Sequence, residues 1–271
     1  MFLASIINEI LSTAFYFIFF LFIGALPSLL WLAYFLRKDK DKEPFGILFQ
    51  LFIFGGISTL FALVLEIAYG GLFSQFFKGY SDLKDCIFGI CLDLDTKRML
   101  YENFYVGIYM LLGISVIEEL VKFIFARLKM RKDKYFDLPV DGMIYLIVVA
   151  LGFAAVENTA FVSGMTNLDS IINLLYLRAI TATLLHVIAS GIFGYFFALS
   201  LVYYKLKYLM ISLGFFGAVL IHTIFNFLII MESGFYLVIV LGVGLLLLNL
   251  FFKHLKKLSF SYESQRRIQS Q

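Results

Sequence analysis

Residues Gly113–Phe123 read GISVIEELVKF and set Glu118, Glu119 and Lys122 inside a run, Phe104 to Leu128, that is otherwise apolar enough to cross a bilayer. A single charge at mid-membrane costs roughly 2.5–3.5 kcal/mol on insertion scales. Two adjacent carboxylates and an ammonium must therefore face a polar partner or a wet cavity. Glu118 and Lys122 are four apart and Glu119 is three from Lys122, so one lysine on that helical face can compensate both acids. Two readings follow: a structural charge cluster that stitches helices together, or a catalytic or coupling site. Which holds depends on whether other apolar spans carry matching groups.

Hydrophobic residues make up 62% of the chain and charged residues 15%. This composition excludes a water-soluble domain and indicates an all-α, polytopic transmembrane helical bundle. At about 1.5 Å per residue against roughly 30 Å of hydrocarbon, long apolar runs can be counted as spans. There are seven: Ser12–Leu36, Phe45–Tyr69, Phe104–Leu128, Pro139–Val162, Leu174–Tyr204, Leu209–Met231 and Phe235–Phe252. The first 36 residues hold no Lys or Arg, so a cleaved signal peptide with a basic start is not supported and the first run is expected to stay as a span. No basic arm suits nucleic acid, and there is no CxxC or other zinc-finger spacing.

The basic residues alternate. Arg37, Lys38, Lys40 and Lys42 follow the first span, and Arg127, Lys129, Arg131, Lys132 and Lys134 follow the third. Lys205 and Lys207 follow the fifth, and Lys253, Lys256, Lys257, Arg266 and Arg267 follow the seventh. The connections after the fourth and sixth have none. By the positive-inside rule the N-terminus is outside and the C-terminus cytoplasmic. The dissenting loop, Gly70–Asn103, is placed outside although it carries Lys78, Lys84, Lys97 and Arg98. It is long and also holds Asp82, Asp85, Asp93 and Asp95. Cys86 and Cys91 lie in this loop as CIFGIC, either a disulfide or two thiols. The RKDKDKE run reads as a solvated, orientation-setting loop, and residues 259–271 as a polar cytoplasmic tail.

Other spans do carry matching groups. The fourth holds Phe153, Glu157 and Asn158 in GFAAVEN; the fifth holds Arg178 and, farther in, His186; the sixth holds His222 and Asn226 in HTIFN, four apart on one face. Singly, a buried histidine is an ordinary core residue and a buried amide is helix–helix glue. Together, three Glu and two His are the groups that hold a metal or move protons. By depth, Glu118, His186 and His222 fall near mid-bilayer, whereas Glu157 and Arg178 fall nearer the outer face, where they can pair. Glu66, near the outer end of the second span, reads as interfacial. Gly152, Ala154, Ala155, Ala189, Ser190, Gly191 and Gly194 read as packing positions that let the fourth and fifth spans approach closely.

This ordered set resembles the PrsW family of intramembrane proteases, within the wider group that includes the type II CAAX prenyl endopeptidases. The EExxK motif reads as Glu118, Glu119 and Lys122. The FxxxE motif reads as Phe153 and Glu157, followed by Asn158. The histidine motifs match His186 and then His222 with Asn226. Asp41–Lys42–Glu43–Pro44 and Pro139–Val140–Asp141–Gly142 are supporting matches. The CAAX-type enzymes end the second motif in His, so Glu157 favours the PrsW branch and argues against prenyl-protein processing.

The resemblance implies a single transmembrane protease domain over residues 1–258, in a bacterial plasma membrane. It also implies hydrolysis of a membrane-anchored, single-pass, anti-sigma-factor-like protein at its extracytoplasmic side. Peptide hydrolysis needs an activated water and a stabilised oxyanion. Glu118 or Glu119 is expected as the base, Lys122 as the group that holds the pair, and His222 with Asn226 as oxyanion stabilisers. Phe153, Glu157, Asn158 and Arg178 are assigned to substrate binding. Glu119, Glu157, His186 and His222 can ligate a divalent metal such as zinc, although no HExxH is present, and a metal-free glutamate mechanism uses the same residues. The rival functions are a proton- or ion-coupled transporter and a non-catalytic scaffold that binds a membrane protein. Against a transporter stand the lack of an inverted repeat and of a Gly/Pro-broken helix pair.

Overall fold

The computed structural model describes residues 2–38, 43–76 and 100–269, among which there are helices and no strand. Helix α1 is Phe2–Lys38, α2 Phe45–Phe76, α3 Phe104–Met130 and α4 Pro139–Val162. Helices α5 (Leu168–Ile180) and α6 (Ala182–Val202) follow. A single 3-10 turn, Tyr204–Leu206, leads into α7 (Lys207–Ile230) and then α8 (Gly234–Gln269). Cys86, Cys91, Asp41, Lys42 and most of the 70–103 loop lie outside the described residues. The start of that loop is helical, because α2 continues to Phe76.

Local signals account for several helix starts. Asn103 accepts from the Val106 N–H at 3.3 Å and Asn167 from the Ser170 N–H at 3.0 Å, each capping the helix it precedes. Pro139 opens α4, where its missing N–H is no loss. The Asp141 carboxylate accepts from the Asp137 and Leu138 N–H groups at 3.0 and 2.7 Å and fixes the chain entering that helix.

The fifth expected span, Leu174–Tyr204, is two helices. Thr181, at φ −118° and ψ −91°, interrupts the ladder between α5 and α6. No proline or glycine marks the break. Thr181 Oγ1 donates to the Leu177 carbonyl at 2.7 Å, and Trp31 Nε1 of α1 donates to the Ala179 carbonyl at 2.7 Å. The Leu177 carbonyl also keeps its backbone partner, the Thr181 N–H at 3.0 Å, so the hydroxyl is a second donor there, while Trp31 supplies the Ala179 carbonyl from another helix.

Helix α4 is the centre of the bundle. It packs against α1 and α2 and, most extensively, against α6, and nearly all its residues are buried. Its crossing with α2 depends on two glycines. A Cβ at Gly152 would stand 1.9 Å from the Phe52 carbonyl oxygen, and one at Gly55 would stand 2.0 Å from that of Val149. Backbone contact this close is a small-residue crossing of the kind membrane bundles use. The boundary expected at residue 258 falls inside α8, which runs on to Gln269. Ser259 is buried, and its Oγ accepts from the Val140 N–H at 3.2 Å, so the start of the expected tail docks on α4.

Six segments among the described residues are long and apolar enough to cross a membrane: Ile18–Lys38, Phe45–Phe73, Pro139–Val162, Leu168–Val202, Tyr204–Ile230 and Gly234–Ser261. Helix α3, which carries the charged motif, is not one of the six, against seven spans expected from sequence. The chain is an all-α, polytopic membrane protein.

Candidate active site

The charges of α3 are resolved by neighbours on α4, α6 and α7. Lys122 is 0% exposed, Glu119 1% and Glu118 3%. The Lys122 ammonium donates to Glu119 Oε1 at 2.8 Å, Glu118 Oε2 at 3.2 Å and His186 Nδ1 at 2.9 Å. Its three protons are thus all engaged, and the ring of Phe153 lies 4.2 Å away. An ammonium only donates, so His186 carries its proton on Nε2 and gives it to Glu157 Oε2 at 3.0 Å.

Glu157 sits where α4 meets the end of α5. Arg178 Nη2 donates to Glu157 Oε2 at 2.6 Å, and Arg178 Nε donates to Asn158 Oδ1 at 2.6 Å. The Asn158 amide in turn donates to Thr183 Oγ1 at 3.1 Å, across the break at Thr181. The pairing of Glu157 with Arg178 expected from depth is present. Helix α4 begins at Pro139 as expected, yet Glu157 still reaches His186, so the two do not sit at separate levels.

Glu119 is engaged on both oxygens. Oε1 accepts from Lys122 and from His222 Nδ1 at 2.9 Å, and Oε2 accepts from Ser190 at 3.2 Å. His222 therefore turns Nε2 toward Glu118 Oε2, 3.9 Å away. A carboxylate behind an imidazole is the arrangement that fixes the tautomer and orientation of metal-binding or basic histidines. Glu119 stands so behind His222, and Glu157 behind His186.

Glu118, His186 and His222 each offer one ligand atom, all within 4.8 Å of one another. Two imidazoles and a carboxylate, buried and oriented, are a donor set that zinc takes. This close group holds Glu118, where the sequence reading named Glu119 and Glu157 beside the two histidines. The three residues line one cavity of about 40 Å³, together with Glu157, Phe161, Arg178, Ala182, Leu185, Phe225 and Asn226. At ~10–15 Å³ per water, the cavity has room for a few waters. Ala182 is the first residue of α6, so the break at Thr181 opens directly onto this space.

Sequence reasoning treated Ser190 as a packing residue and did not single out Thr183, Phe161 or Trp31. None carries a motif; each is found only through its partner. Glu66, expected at the interface, is 5% exposed on α2 and within electrostatic reach of Glu157 and Lys122.

A model of the PrsW family of intramembrane metalloproteases matches residues 43–252. The chain belongs to the PrsW family. A protein named Protease PrsW from Clostridioides difficile is 26% identical over 259 residues, 88% of this chain and 93% of the relative. The protein of that name from Oceanobacillus iheyensis is 24% identical over 216 residues, 80% of this chain and 85% of its own. The one from Geobacillus kaustophilus is 24% identical over 237 residues, 86% and 88%. No solved structure matches. As a PrsW-family member the protein is a multi-pass intramembrane endopeptidase, acting on substrate within the bilayer.

Proposed function

We propose that the protein hydrolyses a peptide bond of a single-pass membrane protein with a water activated by Glu118. The reading rests on one observation: Glu118, His186 and His222 converge on one small cavity in an otherwise apolar bundle. Of the two adjacent acids, Glu118 faces this cavity, whereas both oxygens of Glu119 are occupied by Lys122, Ser190 and His222. A water within hydrogen-bond reach of Glu118 Oε2 and His222 Nε2 fits their 3.9 Å separation.

In the hydrolysis, the water oxygen attacks the scissile carbonyl while Glu118 takes its proton. The proton then passes to the leaving nitrogen. Asn226 and His222 line the same cavity, and the Asn226 amide donates to the developing oxyanion. Glu119 holds His222, Lys122 holds the acid pair, and Glu157, Asn158, Arg178 and Phe153 shape the wall that the substrate backbone meets. Glu118, His186 and His222 would hold a divalent metal such as zinc, which when bound polarises the carbonyl and acidifies a water.

The substrate is an anti-sigma-factor-like protein cut on its extracytoplasmic side. The enzyme sits in a bacterial plasma membrane with its N-terminus outside and its C-terminus in the cytoplasm. Purified protein in liposomes with a single-pass substrate tests the activity: wild type cleaves, and Glu118→Gln does not. Equal cleavage by both ends this reading, because the water is then activated by a group other than Glu118.

A further inference from the structure

We propose that Lys122 is the resident cation of the acid–histidine cluster, so that a divalent metal and the lysine ammonium compete for the lone pair of His186 Nδ1. This rests on reading Glu118, His186 and His222 as the metal-holding group. Lys122 Nζ occupies a cation's place among them. It lies 3.2 Å from Glu118 Oε2 and 2.9 Å from His186 Nδ1, and 2.8 Å from Glu119 Oε1. His186 Nδ1 has one lone pair, and a lone pair that accepts an N–H cannot also bind an ion; the Glu118 carboxylate has others to spare.

His186 makes the conflict sharp. Its Nδ1 accepts from Lys122 and its Nε2 faces Glu157 at 3.0 Å, so neither nitrogen is uncommitted. His186 Nδ1 is also the ring atom that comes within 3.9 Å of Glu118 Oε2, as His222 Nε2 does. An ion gathered by these three atoms therefore displaces the ammonium from His186 Nδ1. Like charge adds to the competition, since a divalent ion and an ammonium at contact distance repel strongly in a buried site. The displaced lysine keeps two partners, the Glu119 carboxylate and the face of Phe153 at 4.2 Å. Metal loading is thus an exchange of one cation for another, and the cluster is never left as bare acids.

The test uses full-length protein in detergent micelles, titrated with zinc ion by calorimetry and melted with and without zinc. Lys122→Met and Lys122→Gln should bind zinc about tenfold or more tightly than wild type. They should also melt lower than wild type without zinc and gain more from it. His222→Gln should lose the binding. Zinc affinity that is unchanged or weaker in both lysine variants overturns the proposal and points to an ion held from His186 Nε2 and Glu157 instead. Failure of both variants to fold even with zinc also overturns it, because the metal should then replace the ammonium. Absence of zinc binding in every protein overturns it as well and leaves the peptidase reading, read by substrate cleavage, standing.

Discussion

Arg178 Nη2 donates to Glu157 Oε2 at 2.6 Å, and both side chains are only 10% exposed. The pair joins the end of α5, just before the helix break, to α4, while the same carboxylate oxygen holds His186. Removing the guanidinium leaves a buried carboxylate beside a histidine and no arginine. Breaking such a pair from one side typically costs about 3–5 kcal/mol, whereas replacing both partners costs less. Arg178→Met should therefore lower the melting temperature markedly, and Glu157→Gln in the same chain should restore part of it. A double variant that melts below Arg178→Met would show that the pair is not the unit.

Glu118 and Glu119 are adjacent yet face different partners, and their glutamine variants should fail for different reasons. Glu118→Gln should abolish cleavage with little change in melting temperature, since Glu118 makes one hydrogen bond and lines the cavity. Glu119→Gln loses a charged acceptor shared by Lys122 and His222, so it should be inactive and also less stable by about 1–3 kcal/mol. Liposome cleavage and thermal melts on the same preparations separate the two. Near-normal cleavage by both would falsify the assignment of this site.

The charged motif was legible because the bilayer makes every buried charge expensive, so Glu118, Glu119 and Lys122 had to find partners on other spans. His222 and Asn226 were legible for the same reason, with four-residue spacing setting a common face. The distinct roles of the two acids were not, because neighbouring residues on a helix point about 100° apart and only packing decides which meets His222. The break at Thr181 was equally hidden. It lacks Gly and Pro, and its support comes from Trp31, some 150 residues earlier in the chain. Counting residues also misjudged Glu157, whose carboxylate reaches His186.

The α2–α4 crossing gives a test of the fold. A methyl on Gly152 would meet the Phe52 carbonyl, which is backbone and cannot swing aside, so the helices must separate. Gly152→Ala should cost about 1–3 kcal/mol, the usual range for overpacking. Gly46→Ala, at the start of α2, should be neutral or slightly stabilising, because nothing lies within 4 Å of its Cβ position. Equal melting temperatures for the two variants would mean that α2 and α4 do not pack this closely.

Trp31 offers a way to weaken the helix break without touching the cavity. Its indole N–H is bonded to the Ala179 carbonyl at 2.7 Å, and Trp31→Phe keeps the ring while removing that donor. A neutral hydrogen bond of this kind contributes about 0.5–1.5 kcal/mol. Faster amide exchange should appear around residues 178–184, with other helices unchanged. Uniform acceleration across the bundle would place Trp31 in general packing rather than at the break.

Asn226 and His222 share one face of α7 but should differ in how much activity survives their loss. His222 is 2% exposed and tied to Glu119, so His222→Ala removes a cavity group and one of the three donors to that carboxylate. That variant should show no cleavage. Asn226 lines the same cavity, and its side chain makes no hydrogen bond to another described residue, so its loss strands nothing. If the amide acts as one oxyanion donor, Asn226→Ala should lower kcat by about 10²–10³ while KM changes little. Asn226→Asp should fall further, because a carboxylate there repels the developing negative charge. Single-turnover cleavage in liposomes across the three variants reads these differences directly. An Asn226→Ala enzyme with wild-type kcat would remove Asn226 from the chemistry.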